Sequence, residues 1–136
     1  MASSKRIILV TGANTGIGYD TALFLARADS NNHVIVSARN EQRGLDALQK
    51  LQGMELKGTL SFQKLDVSSD ESIFTAAKKI QANFDKLDVL INNAGVFLAG
   101  PTTRAAMHET FEVNLYGPVI LTDALASLLK KSNDPA

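Results

Sequence analysis

A glycine-rich octapeptide, Thr11-Gly12-Ala13-Asn14-Thr15-Gly16-Ile17-Gly18, limits the fold of this chain more than any other feature. It is preceded by Arg6 to Val10 (RIILV), an apolar run rich in β-branched residues. Such a run suits a strand buried on both faces of a parallel sheet. It is followed by apolar residues at helical spacing: Ile17, Thr21, Phe24, Leu25 and Ala28. A strand, a glycine turn and a helix in that order open a βαβ unit.

The rest of the chain repeats the alternation. His33 to Ser37 (HVIVS) reads as a second buried strand, and Glu41 to Gln52 as a helix with Leu45, Leu48 and Leu51 on one side and Gly53 as its stop. Thr59 to Leu65 reads as a third strand. Ser68-Ser69-Asp70-Glu71 has the form of a capping box. The helix after it lines up Ile73, Ala77, Ile80 and Phe84, and Leu87 to Ile91 reads as a fourth strand. The last helix, roughly Arg104 to Lys131, aligns Leu121, Leu125 and Leu128, with Gly117-Pro118 expected to kink or split it. The order β-α-β-α-β-α-β-α predicts a doubly wound α/β fold of about four parallel strands flanked by helices.

The 136 residues suffice for one domain with a real core, not for two, so residues 1–136 are read as a single domain. Fourteen Lys+Arg balance fourteen Asp+Glu, which leaves no basic field for a nucleic-acid backbone. The chain has no cysteine, and His33 and His108 lie far apart without a ligand pattern, so no metal site is expected. Met1 to Arg6 lacks the form of a signal peptide. The apolar run from Pro118 to Leu129 carries Asp123 and is too short to cross a bilayer. These features predict a soluble cytoplasmic protein with no membrane partner.

A phosphate at the glycine turn would meet the free N–H groups and the positive dipole end of the first helix. Glycine is needed there because a Cβ would block close backbone approach or forbid the turn. The glycines fall at 12, 16 and 18, which is neither the Gly-x-Gly-x-x-Gly fingerprint nor a Walker loop. A purely structural glycine turn is the competing reading. Arg39 stands 21 residues beyond Gly18, just past the second strand, with no acid at that strand's end. An acid there reads a ribose 2′-OH, whereas an arginine accommodates a 2′-phosphate, so NADP(H) is favoured over NAD(H). Arg43 could add a second charge. A solvated loop arginine is the alternative for Arg39, and more evenly so for Arg43.

With TGANTGIG at Thr11 to Gly18, Asp66-Val67 after the third strand, Asn92-Asn93-Ala94-Gly95 after the fourth and Asn114 in the last helix, the chain resembles the short-chain dehydrogenase/reductase family. The order of all four matches that family over essentially the whole chain. Ser37-Ala38-Arg39 followed by Arg43-Gly44 is similar to its NADPH-dependent carbonyl reductases. The resemblance implies a Rossmann-type sheet in strand order 3-2-1-4, the N-terminal part of the family fold. It implies that Gly12, Gly16 and Gly18 lie under a pyrophosphate with Ile17 alongside. Asn14, Thr15 and Arg39 would flank the adenosine ribose and its 2′-phosphate. Asp66 would bond the adenine amino group, Val67 would back the ring, and Asn93, Ala94 and Gly95 would pass the ribose. Asn114 would kink its helix and hold a water for a proton relay. Plainer readings are a capping carboxylate for Asp66, turn formation for Asn92 and Asn93, and an exposed polar helix residue for Asn114.

The family's chemistry is hydride transfer between a nicotinamide and a carbonyl or alcohol carbon of a small-molecule substrate. The resemblance implies a catalytic Tyr-x-x-x-Lys preceded by a serine. The cation is what makes a tyrosine of ordinary pKa about 10 useful near neutrality. Tyr19 is followed at +4 by Leu23 and Tyr116 by Ile120, so neither forms the pair, and Asn114 is the one chemistry-linked residue. The expectation is a truncated, inactive form of the family's cofactor half. The alternatives are a non-catalytic nucleotide-binding module acting through a partner and, further off, a doubly wound methyltransferase or nucleotide-sugar enzyme. The fourth strand would be an unpaired apolar edge, and it or the last helix would favour self-association.

Overall fold

A computed structural model describes residues 4–136. Four parallel strands form one sheet: β1 (Arg6–Val10), β2 (Asn32–Ala38), β3 (Thr59–Lys64) and β4 (Val89–Ile91). Their order is β3-β2-β1-β4, the order implied by the resemblance. Register is set by pairs such as Leu9 with Ile35, Val36 with Phe62 and Leu9 with Leu90.

Helices cover both faces, as an all-parallel sheet requires. Helices α1 (Gly16–Ala28) and α2 (Glu41–Gln52) lie on one side. On the other lie α3 (Asp70–Asn83) and α5 (Gly117–Leu129), and α4 (Arg104–Phe111) runs toward α5 through a π-helical turn, Glu112–Tyr116. Alternation along β1 splits the core. Ile7 and Leu9 join Ile73, Ile80, Leu121, Leu125 and Leu128 on the α3–α5 side. Ile8 and Val10 join Ala22, Ala26, Val34, Val36 and Leu51 on the α1–α2 side.

The buried faces of α1 and α2 differ from the sequence expectation. The α1 helix buries Gly18, Ala22 and Ala26, and leaves Ile17 79% and Phe24 73% exposed. The α2 helix buries Gly44, Ala47 and Leu51, with Leu45 exposed. Small residues win because these helices approach the strands closely. At Gly44 a Cβ would stand 2.1 Å from the Phe62 ring on β3. The aligned leucines and isoleucines of α3 and α5 are buried as expected.

Three further expectations are corrected. The N-cap of α3 is Ser69, whose side chain accepts the Ser72 N–H, so Ser68 and Glu71 do not form a reciprocal box. The last helix is interrupted at Glu112–Tyr116, one turn before Gly117-Pro118. Pro118 lacks an N–H and its ring crowds the carbonyl four residues back, at Asn114, so the widened turn relieves that conflict. The edge of β4 is not bare. The Ala136 N–H donates to the Asp88 carbonyl at 2.8 Å, and the Leu90 N–H donates to Ala136 O at 2.8 Å. Among the described residues no helix is long and apolar enough to cross a membrane.

Candidate functional site: a cleft at the ends of the strands

The chain steps from β1 out to β2 and β3, then crosses back to lay β4 on the opposite side of β1. In open parallel sheets this reversal leaves a crevice at the carboxyl ends of the two strands. A cleft of about 450 Å³ lies there, lined from the turns after β1, β2, β3 and β4.

Its floor is built by the glycine turn against the loop after β4. Thr11 is buried, and its hydroxyl oxygen accepts the N–H groups of Asn93 at 3.0 Å and Ala94 at 2.9 Å. The Asn93 side-chain amide donates to the carbonyls of Thr11 at 3.0 Å and Gly12 at 3.1 Å. Close approach then dictates glycine. A Cβ on Gly12, whose φ is +61°, would stand 2.9 Å from the Ala94 Cα. A Cβ on Gly18 would stand 2.4 Å from the Asn93 Nδ2. Gly16 differs. Its φ is +59°, and nothing lies within 4 Å of the place its Cβ would take. It needs glycine for backbone conformation alone, and leaves open space above the start of α1.

That helix start is electrostatically unfilled. Thr15 is its N-cap but makes no side-chain cap bond, and the first turn carries no acid. By contrast α2, α3 and α4 are capped by the side chains of Asn40, Ser69 and Thr103. The free N–H groups of α1 and its dipole therefore favour an anion in the cleft. Arg39 and Arg43 line the same cleft. Among the described residues neither guanidinium has an ion-pair partner, the one ion pair being Lys86 with Asp88. A cradle that Cβ atoms would fill, an uncapped helix and two unpaired cations fit a phosphorylated dinucleotide.

Asn14, Thr15, Ile17, Asp66, Val67, Asn93, Ala94 and Gly95 also line the cleft, so the fold gathers the sequence candidates from four separate turns. Gly16 and Gly18 are not among the residues that line it. The Asp66 carboxylate caps its own turn, with one oxygen accepting the Ser68 N–H at 2.9 Å and hydroxyl at 2.7 Å. Its other oxygen has no partner among the described residues. Asn114 lies at the centre of the π-helical turn, outside the cleft lining, and its side chain is spent on Val96. Sequence reasoning missed Thr11 as the tie between the two loops, and Val96, Val113, Asn40 and Ser68 as lining. A buried threonine hydroxyl opening a glycine turn was the available signal for Thr11.

These features define a doubly wound, Rossmann-type α/β fold. The chain belongs to the short-chain dehydrogenase/reductase family: residues 6–134 match the short chain dehydrogenase profile. It is 37% identical to the short-chain dehydrogenase/reductase eupG of a Phoma species, over 96% of this chain and 50% of that protein. It is 34% identical to human retinol dehydrogenase 8, over 96% of this chain and 42% of that protein. Among solved structures, the Thermococcus sibiricus alcohol dehydrogenase complexed with 5-hydroxy-NADP superposes with a TM-score of 0.83 at 29% identity, covering 96% of this chain and 56% of that one. A metagenomic short-chain oxidoreductase in complex with NADP gives 0.80 at 28% identity, covering 97% and 60%. The chain spans about half the length of the curated relatives it matches.

Proposed function

We propose that the cleft binds NADP(H), and that these residues are the cofactor-holding part of an oxidoreductase acting on carbonyl or alcohol groups. The carrying observation is the uncapped start of α1 beneath the glycine turn, with the unpartnered Arg39 and Arg43 on the same cleft. When bound, the cofactor supplies the hydride; the protein binds and orients. In this reading Gly12, Gly16 and Gly18 let the backbone come close to the pyrophosphate, with Ile17 alongside. Asn14, Thr15 and Arg39 flank the adenosine ribose, and Arg39 carries selectivity for a 2′-phosphate. The free oxygen of Asp66 accepts from the adenine amino group, with Val67 behind the ring. Asn93, Ala94 and Gly95 pass close to the ribose. Asn114 acts from the π-helical turn, which widens the helix where a relay water would sit. No tyrosine in these residues carries a lysine at +4, so residues 1–136 as a single cytoplasmic domain hold cofactor without turning it over. Exposed Phe111, Leu115 and Val119 on the last helical stretch suit pairing of two copies.

The test is a titration of NADPH and NADH against the wild type and Arg39→Ala. The variant should lose about tenfold in NADPH affinity, the scale of one hydrogen-bonded charge contact, and little for NADH. An equal loss for both coenzymes overturns the phosphate assignment. Oxidation of NADPH with a reactive diketone by the 136-residue chain overturns the claim that it does not turn over.

A further inference from the structure

Asp88 is a carboxylate only 5% exposed, at the far end of β4 from the cleft, and the cofactor reading gives it no task. Its two oxygens serve three separate pieces of chain. One accepts the Ile7 N–H of β1 at 2.8 Å, and both are within 2.9 Å of the Lys86 ammonium. The Ser132 hydroxyl, just after α5, donates to Oδ1 at 2.6 Å. The Asp134 N–H then donates back to Ser132 Oγ at 3.2 Å, closing a turn. Two residues on, Ala136 bridges the Asp88 carbonyl and the Leu90 N–H at 2.8 Å each. One residue donating to a carbonyl and accepting from the N–H two places further on is the pattern of a parallel ladder.

We propose that Asp88 is a positioning residue, a latch that grips Ser132 and thereby fixes the register in which the chain leaving α5 adds to the edge of β4. Register matters because a shift of one residue turns every side chain of a strand to the other face. At Ala136 the chain runs parallel to β4, in the direction that leads along β4 toward Asn93, Ala94 and Gly95. The latch thus fixes, from the start of β4, how Ser132 to Ala136 lie against that edge. It also covers an edge that would otherwise template association. The inference rests on the fold alone and does not need the cofactor reading.

Amide hydrogen exchange on the 136-residue chain tests it. Ser132→Ala should speed exchange of the Leu90 N–H about tenfold or more, because the bond lost is to a charged group, while Val34 to Val36 stay within about twofold. Ser132→Thr keeps the hydroxyl and should restore protection at Leu90. Asp88→Asn should match or exceed the effect of Ser132→Ala, and adding Ser132→Ala to it should add little. Unchanged protection at Leu90 in Ser132→Ala overturns the latch. So does an equal loss at Leu90 and Val34 to Val36, which is general destabilisation. Because Ser132→Ala removes only a half-buried hydroxyl, the test stands even if Asp88→Asn fails to fold.

Discussion

Asn114 and Val96 are joined by two backbone-like hydrogen bonds. The Val96 N–H donates to Asn114 Oδ1 at 2.8 Å, and Asn114 Nδ2 donates to the Val96 carbonyl at 2.8 Å. The side chain of a π-helical residue thus holds the loop that follows Gly95 as a neighbouring strand would. Asn114→Ala should therefore loosen that loop more than the fold. The expected cost is about 1 kcal/mol for two exposed bonds, read as a fall in urea midpoint with the slope unchanged. Affinity for NADPH should fall with it. Full retention of both midpoint and affinity would show that the pair positions nothing.

The glycines of the turn should separate by mechanism. Gly18→Ala drives a methyl into Asn93 Nδ2 and Gly12 O, an overpacking that costs about 1–3 kcal/mol. Gly16→Ala meets no neighbour and pays only for its left-handed backbone, about 1–2 kcal/mol. Its methyl projects into the open space over α1. Thermal melts should rank Gly18→Ala as the less stable of the two. Gly16→Ala should fold and still lose coenzyme affinity; an affinity equal to wild type would place the diphosphate elsewhere.

His33 should make stability fall in mild acid. Its ring nitrogens are bonded to the hydroxyls of Thr59 at 2.8 Å and Ser61 at 2.9 Å, and the ring packs on Phe84 at 5.2 Å. Burial, with help from the Lys5 charge, holds its pKa below the ordinary value. The unfolded chain then binds the proton more readily, so the stabilisation is whole above about pH 6.5 and is lost as pH falls through and below that value. Urea denaturation at pH 7.5 and 5.5 should show the drop, and His33→Gln should remove its share. Identical pH dependence in both proteins would sink this assignment.

Asp88 acts lower on the scale. Burial pushes its carboxyl up, but hydrogen bonds from Lys86, Ser132 and the Ile7 N–H, with the Lys86 charge, outweigh burial and hold it below the ordinary carboxylate value. Its stabilisation is therefore complete above about pH 4, the unfolded value, and disappears as pH falls through the lower folded value. Unfolding curves between pH 5 and acid should be steeper in pH for the wild type than for Asp88→Asn. Parallel curves would remove Asp88 from the acid response.

What could be read from the chain itself was whatever is encoded between near neighbours. The order of strands and helices follows from apolar period, and α2 runs from Glu41 to Gln52 as its pattern predicts. The glycine turn was legible because a tight turn from strand to helix needs glycine at short fixed spacing, and the order of elements placed Arg39 just past β2, where it lines the cleft. Tertiary structure alone decided which side of α1 and α2 is buried. Helical period marks an apolar stripe, but closeness to the sheet selected Gly18, Ala22 and Ala26 over Ile17 and Phe24. It also decided the long-range ties: Thr11 to Ala94, Asn114 to Val96, and Asp88 to Ile7 and Ser132. Each joins segments far apart in sequence through a polar group whose partner no local pattern names, and only the packed sheet brings donor and acceptor within bonding distance.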